Sequence, residues 1–140
     1  MKYALTISCQ KERLKDIRIF VRESLQDHGL DDVEISALVL AIDEISANLI
    51  IHGHDCNPAD NFDLQIEIKK GQGVIFRLLD ESDMFDINKY EIPNMDELIK
   101  TQRKGGVGLI LVKKIMDDIT FGAQEGKNCC QLTKNVEVQE

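Results

Sequence analysis

The sequence FDLQIEIKKGQGVIFRLL, residues 62–79, predicts a β-hairpin, and the rest of the fold can be worked out from it. Apolar and polar residues alternate with a period of two over 62–70, and an apolar run resumes over 74–79 after two closely spaced glycines. Alternation of this kind predicts two antiparallel strands with one buried face. The buried face needs a second layer to cover it.

Periodicity and capping residues predict the elements on either side of the hairpin. In chain order they are a strand over 2–8, a helix from about Leu14 to Gly29, a helix from Asp31 or Asp32 to about His52, the hairpin, a helix opening at the glycines near 105, and strands over 118–122 and 128–136. Two consecutive hairpins exclude a doubly wound parallel sheet. The expectation is a single α+β domain over 1–140, a two-layer α/β sandwich with a mostly antiparallel sheet and helices on one face. Residues 81–105 are polar and irregular, with one or two helical turns expected around 96–100, and long segments of this kind are often lids.

Composition and charge restrict the partners. The 140 residues include 25 Asp and Glu against 17 Lys and Arg, for a formal charge of −8. Clustered positive charge is absent, so neither direct nucleic-acid binding nor membrane binding is expected. The N-terminus has no pattern of an export signal. We expect a cytoplasmic protein whose four cysteines, two of them adjacent, are reduced thiols.

The second predicted helix carries a polar pair. Thirteen of the 19 residues from Val33 to Ile51 are apolar, and Glu44 and Asn48 lie four positions apart within this segment. That spacing stacks both side chains on one helix face, away from the apolar stripe. A carboxylate beside a carboxamide suits a base next to a magnesium and phosphate site. For an isolated pair, a solvated patch is the simpler interpretation.

A glycine-rich segment, KGGVGL over 104–109, opens the third helix. Glycines at a helix start let backbone N–H groups approach a phosphate, and the helix dipole favours the anion. The P-loop pattern is absent, and no apolar strand precedes the segment as a dinucleotide site would require. A flexible hinge is the alternative interpretation. Asp80, which ends the hairpin, would by itself be a turn former.

The order of these features resembles the GHKL ATP-binding family, which includes gyrase, histidine kinases and MutL. Glu44 and Asn48 come first, then Asp80 with Phe85 five residues later, then a long polar segment and Gly106-x-Gly108. Two stretches, AIDEISANLIIH over 41–52 and GGVGLILVKKIMDDI over 105–119, resemble the bacterial anti-sigma factor serine kinases. The resemblance covers nearly the whole chain.

The resemblance implies a Bergerat-type ATP-binding fold and a role for each matching residue. Glu44 would be the general base, Asn48 would hold Mg²⁺, and Asp80 would accept a hydrogen bond from the adenine amino group. Lys104 would lie near the terminal phosphate. The full set of nucleotide-binding positions implied is Asn48, Asp80, Ser82, Phe85, Lys104, Gly105, Gly106, Val107 and Gly108. One departure concerns Ser82, which stands where the family usually has the glycine of a D-x-G motif. Its side chain could crowd the backbone around the adenine, or its hydroxyl could replace an ordered water.

The implied function is an ATP-dependent anti-sigma regulatory protein. It would phosphorylate a serine of a STAS-type anti-anti-sigma partner, sequester a sigma factor and form a homodimer. The alternative is a partner-switching module that binds ATP or no nucleotide and transfers no phosphate. A sensor histidine kinase fragment is disfavoured, since no phosphoacceptor helical hairpin precedes the domain. His52, His54 and Cys56 form an incomplete zinc ligand set, so we expect His52 to continue the helix and the rest to form a loop.

Overall fold

A computed structural model describes residues 1–81 and 106–140 of the chain. In chain order the elements are β1 (Lys2–Ser8), a 3-10 turn (Lys11–Arg13), α1 (Leu14–Leu25), α2 (Asp32–Asn48), a π-helical turn (Leu49–Gly53), β2 (Asn61–Lys69), β3 (Gly73–Asp80), α3 (Gly106–Ile115), β4 (Asp118–Gln124) and β5 (Lys127–Asn135). Outside the described residues lie the helical turn predicted near 96–100 and four predicted site residues, Ser82, Phe85, Lys104 and Gly105.

The five described strands form one sheet in the order β1-β2-β3-β5-β4, and each pairing is antiparallel. The predicted hairpin is β2–β3, in which Ile66 pairs with Phe76. Strands β4 and β5 form the second hairpin, with Ile119 opposite Leu132. The α+β class and the antiparallel arrangement predicted from these two hairpins are therefore confirmed.

One face of the sheet is covered and the other is largely polar. Alternate residues of β2 are fully buried, and their neighbours Asp63, Gln65 and Glu67 lie on the opposite face. The buried β2 side chains are Phe62, Leu64, Ile66 and Ile68. Helix α2 packs against both α1 and α3, and all three contribute to the same hydrophobic core. Period-two alternation thus sets which face the helices cover.

Helix α2 begins with a complete capping box. The Asp31 side chain accepts from the Glu34 N–H, and the Glu34 carboxylate accepts from the Asp31 N–H. Asp31, rather than Asp32, is therefore the N-cap. By length and composition alone, Asp32–His52 could span a membrane, but half of its most apolar window is buried in the protein. It has the character of a core helix.

All four cysteines are free thiols. Cys129 and Cys130 are successive residues of β5, so their side chains project from opposite faces of the sheet. Burial raises the pKa of Cys9 to about 11, and the charges of Asp60 and Asp80 act in the same direction. At neutral pH the Cys9 thiol is thus protonated and behaves as a small apolar core residue.

Candidate functional site

Helix α2 presents Glu44 and Asn48 on its half-buried face. Both side chains are partly exposed, while the apolar stripe on the other side of the helix is buried. The stripe consists of Ile35, Leu38, Ile42, Ile45 and Leu49. The predicted separation of the polar pair from the core stripe is confirmed, so the polar pair is free to serve a site.

Glu44 lies directly against the first turn of α3. A Cβ added to Gly108 would lie 2.1 Å from Glu44 Oε2 and 2.9 Å from Glu44 Cδ. Carbon atoms do not approach so closely, so any side chain at position 108 would displace the carboxylate. Two residues that are 64 positions apart in the sequence, and that the resemblance assigns to one site, are in contact here.

Asn48, one turn after Glu44, has an unused hydrogen-bonding atom. Its Nδ2 is buried and has no partner among the described residues; Ser46 Oγ is the other buried side-chain atom of this kind. A buried amide without a partner costs free energy, about 1–3 kcal/mol. Such a group is expected where a ligand completes the site. A π-helical turn follows immediately, and insertions of this type are frequent at functional sites.

The start of α3 adds backbone donors to this end of the site. Within the described residues α3 runs from Gly106 for ten residues, and the N–H groups of a helix's first turn have no intrahelical acceptors. Together with the helix dipole they favour an anion such as a phosphate. Gly106, Val107 and Gly108 all belong to this turn, as predicted from the glycine-rich sequence.

Asp80 ends β3 on the helix-covered side of the sheet and is only 3% exposed. Its Oδ2 accepts a hydrogen bond of 2.7 Å from His54 Nε2, and His54 Nδ1 donates to Asp60 Oδ2 over 2.9 Å. The sequence predicts His54 only as part of a loop and of an incomplete zinc ligand set. No local pattern links His54 to an aspartate 26 residues later, so this contact could be found only from the fold.

The surroundings of His54 favour its protonated form. Burial lowers the pKa of the imidazole, but the hydrogen bonds and charges of Asp60 and Asp80 outweigh that effect and raise the pKa above its ordinary value of 6.5. In the imidazolium form both ring nitrogens donate, so each carboxylate keeps its partner.

A cavity of about 650 Å³ opens beside these residues, at the end of the sheet. Its lining includes His54 and Lys127, but also the carboxylates of Asp60, Asp63 and Asp80. Excess negative charge disfavours phosphate there. Glu44, Asn48 and Gly108 are not among the described lining residues. The residues predicted to bind phosphate therefore lie at the α2–α3 contact, whereas the cavity adjoins the Asp80 end.

Comparison with known proteins gives three results. Residues 7–134 match the family model of the histidine kinase-like ATPase domain. A serine-protein kinase named RsbW, from Oceanobacillus iheyensis, is 24% identical over 102 residues, which cover 70% of this chain and 64% of that protein. The match therefore spans less than two thirds of that relative. A crystal structure of the RsbU and RsbW domains of Rv1364c from Mycobacterium tuberculosis has the same fold, with a TM-score of 0.65 and 16% identity. That alignment covers 99% of this chain and 32% of the other.

Proposed function

The chain belongs to the histidine kinase-like ATPase domain family, and we propose that it is an ATP-dependent protein serine kinase of the anti-sigma type. The relative named as a serine-protein kinase supports the choice of serine as acceptor. The reaction transfers the γ-phosphoryl group of ATP to a serine hydroxyl of a partner protein.

The observation that carries this proposal is the contact between Glu44 and Gly108. A family member that only bound nucleotide would need the phosphate-binding turn of α3, but not a carboxylate packed against that turn. Glu44 Oε2 lies where the Cβ of any larger residue at 108 would stand. A carboxylate held beside a phosphate-binding helix start is placed to accept a proton from an attacking hydroxyl.

The side chains present fit a magnesium nucleotide. Asn48 Nδ2 is buried and has no partner within residues 1–81 and 106–140, and the carboxamide oxygen is a hard donor of the kind that Mg²⁺ accepts. When held by Asn48, Mg²⁺ would neutralise the negative charge that develops during phosphoryl transfer. Asp80, at the end of β3, would accept a hydrogen bond from the adenine amino group.

In the proposed reaction a phosphoryl group moves from ATP to a serine oxygen. The serine oxygen forms a bond to the γ-phosphorus, the bond from that phosphorus to the β–γ bridging oxygen breaks, and ADP leaves. The hydroxyl proton passes to the Glu44 carboxylate. Positioning and electrostatic stabilisation supply most of the rate in phosphoryl transfer. The α3 backbone donors and Asn48 provide both at the phosphate end.

The proposed partners follow from the resemblance to anti-sigma kinases. The phosphorylated partner would be a STAS-type anti-anti-sigma protein, and a sigma factor would be sequestered in the other state. We place the protein in the cytosol as a homodimer. The acidic chain, with a net charge of −8, is consistent with protein partners rather than direct contact with DNA.

The test is a phosphotransfer assay with radiolabelled ATP and the STAS-domain proteins encoded in the same genome. Glu44→Gln keeps the size of the side chain and removes the base, so transfer should fall about 10²–10⁴-fold. Affinity for ATP should stay within about fivefold of the unaltered chain. Asp43→Asn is the matched control. It removes the same charge one residue away, from a carboxylate that pairs with Arg18 at 2.9 Å.

The outcomes separate the two candidate functions. Full transfer by Glu44→Gln would refute the role of Glu44 as base. If the unaltered chain binds ATP and a STAS partner but labels none, the kinase proposal fails. The partner-switching module without phosphotransfer would then be the better description.

A further inference from the structure

His54 is held more tightly than a loop residue usually is. Its side chain is 7% exposed, and each ring nitrogen bonds to a different carboxylate, Asp60 at 2.9 Å and Asp80 at 2.7 Å. One of these carboxylates is itself almost fully buried. Buried charged hydrogen bonds of this length fix the rotamers of both partners.

The backbone around His54 turns sharply to bring the ring over the end of the sheet. Asp55 and Cys56 both have positive φ angles, 48° and 56°, and the Cys56 N–H donates to the Ile50 carbonyl at 2.9 Å. Left-handed conformations at non-glycine residues persist only where the surrounding structure enforces them. The π-helical turn and this reversal together connect the helix of Asn48 to the residue that holds Asp80.

We propose that His54 is a positioning residue for the base-recognising end of the nucleotide site. This inference rests on the proposed function, in which Asp80 accepts from the adenine amino group. The donated N–H of His54 Nε2 fixes the Asp80 carboxylate in one rotamer before nucleotide binds. His54 thereby sets the discrimination between a purine with a 6-amino group and one with a 6-oxo group.

The physical reason is that a carboxylate recognises an amino group only if its direction is fixed. Asp80 ends β3 beside the open cavity, and the 2.7 Å bond from His54 Nε2 holds its Oδ2 in one direction. A 6-oxo purine places an acceptor opposite the Asp80 carboxylate, which leaves two acceptors facing each other. Sites that hydrogen-bond a substrate group strongly reject analogues that lack it. Loss of His54 should weaken that rejection more than it weakens phosphate binding.

The test compares ATP with inosine triphosphate, both with Mg²⁺, by calorimetry on the whole chain. The quantity measured is the ratio of the two dissociation constants. Three variants are used: His54→Leu removes both donors, His54→Gln keeps a neutral N–H donor near the position of Nε2, and His28→Gln is the matched control. His28 is also a buried histidine with two hydrogen bonds, to Tyr3 at 2.8 Å and to the Gln139 carbonyl, but it lies at the opposite end of β1.

We expect the unaltered chain to prefer ATP by at least about tenfold, as is typical of a hydrogen bond to a charged group. His54→Leu should lower that preference by about tenfold while binding of inorganic triphosphate changes by less than threefold. His54→Gln should retain most of the preference, and His28→Gln should retain all of it even if the variant is less stable.

Several results would overturn the inference. A His54→Leu variant with the unaltered ATP preference would do so while leaving the proposed kinase intact. Absence of ATP binding by the unaltered chain would instead refute the proposed function, and this inference with it. A second measurement uses the unaltered chain and so does not depend on whether a variant folds. The ¹⁵N resonance of His54 Nε2 should shift with ATP and not with inorganic triphosphate. Equal shifts with both ligands would contradict the positioning role.

Discussion

Gly108→Ala should separate catalysis from stability. The added Cβ would stand 2.1 Å from Glu44 Oε2, and contacts of a real Cβ are essentially never below 3.0 Å, so the carboxylate must move by about 1 Å. Misplacement of a catalytic group by that distance can cost about 10²-fold in rate. We therefore expect the rate of phosphotransfer to fall about 100-fold.

The same substitution should cost little folding free energy. The atoms that must move are at the end of the partly exposed Glu44 side chain, which can rotate away. Alanine is also about 0.5–1 kcal/mol more favourable than glycine within a helix. The free energy of unfolding should consequently change by less than about 1 kcal/mol, since the two effects oppose each other.

The assay is single-turnover transfer from ATP to the STAS partner, with thermal unfolding measured on the same samples. Gly122→Ala is the matched control, because a Cβ at Gly122 meets nothing within 4 Å. In the Glu44→Gln background, Gly108→Ala should cause no further loss, since both changes act through one carboxylate. Unaltered transfer by Gly108→Ala would refute this reasoning, as would a full additional loss in the double variant.

Two further predictions concern stability. The folded-state pKa of His54 is raised above its ordinary value of 6.5. The pairing of protonated His54 with Asp60 and Asp80 therefore stabilises the fold fully below pH 6.5, and this stabilisation is lost as the pH rises through the folded-state pKa. Melting temperatures should therefore fall more steeply above pH 6.5 for the unaltered chain than for His54→Gln, and parallel curves would contradict this. The pKa of Cys9 is raised from 9.0 to about 11, so titration of Cys9 affects stability only above pH 9, outside the pH range of this measurement. Gly73→Ala places a Cβ 2.1 Å from the Lys134 carbonyl oxygen at a φ of 152°, so unfolding free energy should fall by about 3 kcal/mol. Calorimetry should show a melting temperature roughly 10 °C lower, whereas a loss no larger than that of Gly122→Ala would show that the strands adjust freely.

The sequence predicted the fold well, because local patterns report directly which face of each element is buried. Alternation over 62–70 predicted β2 within one residue of its observed bounds. Helical spacing predicted the start of α1 at Leu14, but the helix ends at Leu25 and not at Gly29 as predicted. The sequence predicted Asp31 or Asp32 as the N-cap of α2, and the structure shows that it is Asp31. The π-helical turn after Asn48 was not predicted, since apolar residues there fit an α-helical pattern equally well.

Only part of the site could be predicted in this way. Spacing along one helix placed Glu44 and Asn48 on a common face, but only tertiary packing brings Gly108 against Glu44. The link between His54 and Asp80 depends on a loop reversal through two left-handed residues, which the sequence does not signal because neither is glycine. Side-chain contacts between distant segments are set by packing rather than by local propensity.

We propose that this chain has a magnesium-dependent ATP site built around Asn48. The most direct test is a calorimetric titration of ATP into the purified protein, with and without Mg²⁺, repeated on Asn48→Ala. We predict binding that requires Mg²⁺ and that Asn48→Ala loses, because the carboxamide oxygen of Asn48 is the proposed Mg²⁺ ligand and its buried Nδ2 has no partner among the described residues. No binding under any condition, or equal binding by Asn48→Ala, would contradict the account.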